Sequence, residues 1–187
     1  MPPKTKKTKE RILDAAMHIV RKDGIDAVTA KSLAKKLKCS TQPIYWVFDT
    51  IENLKNEIIA ESSKVYNDYI LRDTDENRFR AIGLNYLTFA IEEKNLFKLL
   101  FMSDRGKEKN IFSLSIDDNE DEIVNIVIKQ SNLTYDKAYE VYLDLWVFTH
   151  GIASLIVSGM STFSNEQVSK MMTDIYLGLV ERMKKTV

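Results

Sequence analysis

Apolar positions between residues 12 and 48 recur at helical spacing in three short bursts. Ile12, Ala15, Ala16, Ile19 and Val20 mark a first helix that Gly24 ends. Leu33, Ala34 and Leu37 share one face of a second, and Thr29 precedes it where a hydroxyl can cap the first amides. After a polar turn, Ile44 and Phe48 anchor a third helix that is polar at its start and aromatic at its end. The spacing predicts a helix-turn-helix with one small core through Ile12, Ile19, Leu33, Leu37, Ile44 and Phe48. Ser40, Thr41 and Gln42 then face outwards at the start of the third helix, where side chains reach base edges. The Gln42 amide can pair at two points with adenine, and Pro43 is tolerated in the first helical turn.

Past residue 50 the pattern stays helical: about 50–71, 76–93, 95–103, 119–131, 134–160 and 165–184. Asp49 and Glu52 have capping-box spacing before the first of these, and Thr134 and Ser164 precede the last two, with Gln167 completing a box for Ser164. Residues 104–119 are charged and broken, and read as a mobile loop. The helix over 134–160 is apolar nearly all round from Leu143 to Val157, whereas the last carries one stripe: Val168, Met171, Met172, Ile175, Leu179 and Met183. A wrapped helix beside a striped one suits a dimer interface that pairs with its copy as a four-helix bundle. The alternative is that both pack onto their own core. The expected fold is all-α: a three-helix head over residues 1–50, then an antiparallel helical body over 51–187 for ligand binding and dimerisation.

Charge sharpens the division. The chain of 187 residues has a formal net charge of zero, but residues 1–55 hold 12 Lys/Arg against 6 Asp/Glu, and residues 56–187 hold 15 against 21. A basic head on an acidic body is what a phosphate-binding module joined to a non-DNA domain should show. A solvated tail (Lys4, Lys6, Lys7, Lys9) is the plainer reading, but Lys31, Lys35, Lys36 and Lys38 lie within the motif itself. The single cysteine, Cys39, forbids an internal disulfide, suits a reducing cytoplasm and is expected to plug the turn as a small apolar group. The basic N-terminus has no apolar segment of signal-peptide type, and the run Leu145–Val157 is short and interrupted for a membrane span. These features predict a cytoplasmic chain without a membrane partner.

Chemistry-bearing clusters are sparse. His18, His150 and Cys39 are far apart, so no metal site is expected, and no cofactor. No phosphate-binding glycine loop, zinc-protease motif or nucleophile elbow occurs, so an enzyme, or a binding bundle with a vestigial head, is the weaker class. Tyr86, Phe89, Phe97, Phe101, Trp146 and His150 either surround a cavity for a small apolar or aromatic effector or serve as core.

Gly24, Thr29, Leu33-Ala34, Ser40, Tyr45 with Phe48 three residues on, and Leu54 together resemble the N-terminal domain of the tetracycline-repressor (TetR) family of bacterial regulators, over residues 8–56. The resemblance implies that Lys31 reaches DNA from the start of the second helix and that Tyr45 and Trp46 touch backbone or thymine methyls. The family commonly has glycine where this chain has Lys38, and a phosphate-contacting lysine where it has Ile51; Lys55, one turn on, is the candidate replacement. The DNA-binding set is then Thr29, Lys31, Ser40, Thr41, Gln42, Tyr45, Trp46 and Lys55. W-V-F-T-H-G at 146–151, with Leu155 and Gly159, resembles the Trp-His-Gly signature of one C-terminal domain type in that family. Together these imply a homodimeric repressor on an inverted-repeat DNA operator, released by an effector, with Val168, Met171, Met172, Ile175 and Leu179 at the dimer interface.

Overall fold

Every regular element among the described residues is helical. A computed structural model of the chain describes residues 5–73, 75–103 and 119–185, with side chains from residue 9 onward. The helices are α1 (Thr5–Asp23), α2 (Ala30–Leu37), α3 (Gln42–Phe48), α4 (Ile51–Ile70), α5 (Arg78–Glu92), α6 (Lys94–Phe97), α7 (Glu120–Ser131), α8 (Tyr135–Ser158) and α9 (Asn165–Lys185). A π-helical turn over Lys98–Met102 extends α6. The stretch expected to be a loop, 104–119, lies up to residue 118 outside the described residues.

Two compact units emerge. The first holds the described residues up to Tyr66 together with Glu93–Ser103; the second holds Asn67–Glu92 and 119–185. In the first, Ile12, Ile19, Leu33, Ile44 and Phe48 are buried as the periodicity predicts, while Leu37 is only half-buried. Leu96, Phe97, Leu99 and Leu100 are buried in the same unit, where α6 packs on α1. The contact is fixed at its rim: both carboxylate oxygens of Glu93 accept from Arg21 Nε at 3.0 Å, and Asn95 Nδ2 donates to the Arg21 carbonyl at 2.9 Å.

Helix ends show how local chemistry sets the chain's turns. Thr29 caps α2 in a reciprocal box: its hydroxyl accepts from Ser32 N at 3.1 Å, and Thr29 N donates to Ser32 Oγ at 3.0 Å. Ser164 and Gln167 form the box expected before α9, at 2.9 and 3.2 Å. The cap of α4 differs from expectation. Asp49 does not cap it; Thr50 Oγ1 accepts from Asn53 N at 3.0 Å instead. Asp49 is already committed to ending α3, with its N–H on the Tyr45 carbonyl at 2.8 Å and its backbone at φ 65. Thr134 also precedes its helix without a side-chain capping bond.

In the second unit the core comprises Ile123, Val124 and Val127 of α7, Val141, Tyr142 and Leu145 of α8, and Val180 and Met183 of α9. Helix α8 packs against α5, α7 and α9. At 24 residues, with an 18-residue window of mean hydropathy 1.4, it is long and apolar enough to cross a membrane by length and composition. The run Leu145–Val157 understates it, because the helix begins ten residues earlier. Its outward stripe, Glu140, Asp144, Val147, Gly151, Leu155 and Ser158, carries two carboxylates, which a lipid-facing surface would reject.

Candidate functional site

Seven residues make α3, so its two faces are cleanly divided. Ile44 and Phe48, one turn apart, are buried; Gln42, Tyr45 and Trp46 occupy the opposite face. Trp46 is 76% exposed and Tyr45 46%, which is costly for groups of this size unless something covers them. Ser40 and Thr41 are exposed just ahead of the helix, and Pro43 sits in its first turn, where its missing N–H breaks no helical bond. Lys31, Lys35, Lys36 and Lys38 are exposed along α2 and its C-terminus. The result is an amide that can read a base edge and two aromatic rings, beside ammonium groups suited to phosphates.

The remaining expected contacts are placed less favourably. The Thr29 hydroxyl is engaged in its capping box. Lys55 and Ile51 are both half-buried. Lys9 reaches α4 through Glu57 at 2.8 Å and lies 5.8 Å from the centre of the Phe48 ring, bracing α1 and α4 around the end of α3. Cys39 is exposed in the turn, so it is not the apolar plug expected there. Its backbone N–H reaches the Ala34 carbonyl at 3.0 Å, and Lys38 before it adopts the left-handed conformation (φ 54, ψ 47). That geometry turns Cys39 away from the core, and it is the backbone state that explains why glycine suits this position. Lys35, Lys36 and Lys38 belong to the basic surface as much as Lys31 does; their close spacing is the signal that marks them.

The six residues expected to line one cavity are divided between units. Phe97 and Phe101 pack on each other and Phe101 on Tyr66, at 5.1 Å each, in the first unit. Tyr86, Phe89, Trp146 and His150 belong to the second. There the Tyr86 hydroxyl pairs with His150 Nδ1 at 2.9 Å, and Trp146 stacks on the imidazole with ring centres 5.2 Å apart. Burial lowers the His150 pKa, which keeps the ring neutral and able to share a proton with Tyr86. Phe89 and Phe97 are fully buried and serve as core. Two open clefts of about 680 and 640 Å3 lie in the first unit, one along α1 and α4 beside His18, the other beside Phe48 and Asp49; none of the six aromatics lines either.

The stripe on α9 also turns inward. Val168 and Met172 are buried within the protomer, and Ile175 and Leu179 lie half-buried against the α7–α8–α9 core. Val168 and Met172, taken up by their own core, are not available to a second copy; Ile175 and Leu179 keep part of their surface, and Met171 is exposed, at 37%. Outward instead are Met171, Leu177 and Gly178 on α9 and Val147, Gly151 and Leu155 on α8. Among the described residues, a β-carbon on Gly151 or Gly178 would meet nothing within 4 Å. Neither glycine is required by packing inside the protomer, although each costs its helix roughly 1 kcal/mol relative to alanine.

Comparison with known proteins agrees with this geometry. No protein-family model matches the chain. It is 22% identical over 160 residues to YobS, an uncharacterised helix-turn-helix-type transcriptional regulator of Bacillus subtilis, covering 83% of this chain and 78% of the relative. It is 27% identical over 81 residues to the class D tetracycline repressor protein of Escherichia coli, covering 43% of this chain and 37% of that repressor's length. Among solved structures, a protein of unknown function from Rhodococcus superposes with TM-score 0.70 at 19% identity, over 94% of this chain and 95% of that one. The flavonoid-responsive regulator FrrA gives 0.60 at 15%, over 95% and 96%. A TetR-family regulator from Vibrio parahaemolyticus gives 0.57 at 15%, over 91% and 97%. The fold is that of tetracycline-repressor-type regulators, and the similarities in sequence support a DNA-binding transcriptional regulator.

Proposed function

We propose that the chain is a homodimeric, cytoplasmic repressor that reads an inverted-repeat DNA operator through α3 and is released by a small apolar or aromatic effector. The observation that carries the reading is the exposed Gln42–Tyr45–Trp46 face, held by two buried anchors and bordered by lysines. Ser40, Thr41 and Gln42 meet base edges; Lys31 and its neighbours meet phosphates; Tyr45 and Trp46 cover backbone or thymine methyls. Lys55 stands in for the phosphate contact that Ile51 does not make. The dimer forms through the outward faces of α8 and α9, where two glycines with open space let helices approach closely. Such a contact would cover Val147, Leu155 and Leu177 without a membrane. The C-terminal Trp-His-Gly likeness is consistent with Trp146 stacking on His150 ahead of Gly151.

The test is a mobility-shift titration with the DNA upstream of the protein's own coding sequence, at two salt concentrations. Expected are saturable, sequence-selective binding and a log–log salt slope of about −0.9 for each phosphate neutralised. Equal affinity for operator and scrambled duplex would overturn the regulator and favour a binding bundle with a vestigial head.

A further inference from the structure

In the second unit, Phe79, Gly83 and Tyr86 follow one another at spacings of four and three along α5, on one face of that helix. Each is met by a different neighbour. The Phe79 ring lies 5.5 Å from that of Tyr176 on α9. The Met172 methyl, one turn earlier on α9, fills the space that a β-carbon on Gly83 would need. Tyr86 holds His150 of α8, on which Trp146 stacks. Aromatic surface therefore lies at both ends of this seam, and between them is a glycine notch occupied only by the tip of a methionine.

The Tyr176 hydroxyl is buried and has no hydrogen-bond partner among the described residues. Burial also raises its pKa, so it stays a neutral donor and acceptor. An unsatisfied buried hydroxyl is destabilising and uncommon. A phenylalanine would pack equally well there, so the oxygen calls for a ligand-side reason. Methionine is the side chain best able to leave a notch and refill it, having three rotatable bonds and no branching.

We infer that the α5–α8–α9 seam is a closed effector site, plugged by Met172, that takes a flat aromatic molecule whose hydroxyl or carbonyl oxygen pairs with Tyr176. The inference rests on the ligand-responsive reading above and deepens it. A flat ring enters beside Phe79 as the methionine tip swings out of the Gly83 notch. Its oxygen supplies the partner that the Tyr176 hydroxyl lacks among the described residues. Charged or strongly hydrated ligands are disfavoured, because the groups named here are aromatic rings, a thioether, phenolic hydroxyls and a neutral imidazole.

The experiment uses 2-naphthol, with naphthalene as the oxygen-free control, and the full-length chain carrying Trp46→Phe so that Trp146 alone reports. Saturable quenching by 2-naphthol is expected. Tyr176→Phe should weaken 2-naphthol about tenfold and leave naphthalene within twofold, which identifies a lost hydrogen bond rather than a distorted site. Met172→Ala should tighten both; if that chain fails to fold by circular dichroism, Met172→Leu, branched and stiffer, should weaken both. No saturable quenching in either the parent or the Met172 variant, or equal losses for both probes in Tyr176→Phe, overturns the site. Operator binding by the unsubstituted protein is measured separately. The site can therefore fail while the regulator stands, and a missing operator leaves the probe result intact.

Discussion

Helices α3 and α9 are both amphipathic, yet their apolar residues serve opposite ends. In α3 only two positions, Ile44 and Phe48, enter the core, and the helix is too short to bury more. Its aromatic remainder, Tyr45 and Trp46, therefore projects outward into solvent. In α9 the long stripe of Val168, Met172, Val180 and Met183 is consumed by the protomer, and the outward face is a mixture of Met171, Leu177, Gly178 and charges. A regular stripe identifies the buried face. The apolar residue that falls off the stripe is the one left at the surface.

The most forceful way to test that contrast is to place a charge on each side of α9. Met172→Glu buries a carboxylate in a filled core without a partner and should cost about 3–5 kcal/mol, enough to unfold the second unit. Leu177→Glu is on the exposed face and should leave the thermal transition within a few degrees while converting a dimer to monomer in light scattering. A monomer that still binds operator with parent affinity would show that two heads are not required. If instead Met172→Glu folds and stays monomeric, α9 presents its stripe outward and the comparison reverses.

On α3 the expected effects are smaller and selective. Gln42→Ala should cost about 1–3 kcal/mol at one base pair of each half-site and little on an operator already changed there. Lys31→Ala should weaken all duplexes alike and reduce the magnitude of the salt slope by about 1. Titrating both variants against a set of single-base operator changes separates the roles. A uniform loss for Gln42→Ala would remove it from the base-reading set.

Most of the fold could be read from periodicity, because the nine α-helices among the described residues have separate apolar faces that leave strong signals, and Gly24, Thr29 and Ser164 mark ends by local chemistry alone. Ends that depend on competition were harder. Thr50 replaces Asp49 as the α4 cap because Asp49 is used to stop α3, a conflict visible only when both helices exist. The exposed face of α3 was equally legible, since its anchors and its exposed residues sit within one short segment. Partner choice in the body was not. Nothing in the spacing of Phe97 or Phe101 assigns them to the unit of α1 and not to that of His150, and nothing in the stripe of α9 distinguishes its own core from a second copy. Long-range packing decides both.

Acid provides a milder probe of the second unit. Burial lowers the His150 pKa, so the folded state resists a proton that the unfolded chain takes up near pH 6.5. The unfolded state binds more protons below that pH, and stability falls as pH drops; above it the group contributes nothing to the slope. The loss is bounded at about 1.4 kcal/mol per pH unit. Unfolding followed between pH 7.5 and 5 should show this slope in the parent, and His150→Gln should flatten it. An unchanged slope in that variant would assign the acid sensitivity to other groups.

The smallest effect is expected where the first unit itself is strained. Both helices of the motif end on non-glycine residues with positive φ, Lys38 at 54 and Asp49 at 65. Lys38 lies in the left-handed helical region, which costs an L-residue roughly 1–2 kcal/mol. Glycine removes that cost but gives the unfolded chain more freedom, worth about 0.5–1 kcal/mol. Lys38→Gly should therefore stabilise the first unit by about 0.5–1 kcal/mol, read as slower hydrogen exchange of the α2 and α3 amides with those of α7–α9 unchanged. The same substitution removes one ammonium from the basic surface. If Lys38 touches a phosphate, operator binding should weaken at low salt and the slope should lose about one unit even as the head becomes more stable. Stability and affinity moving in opposite directions would explain why this chain keeps lysine where glycine fits the backbone better. A gain in both would leave the lysine without a function at that position.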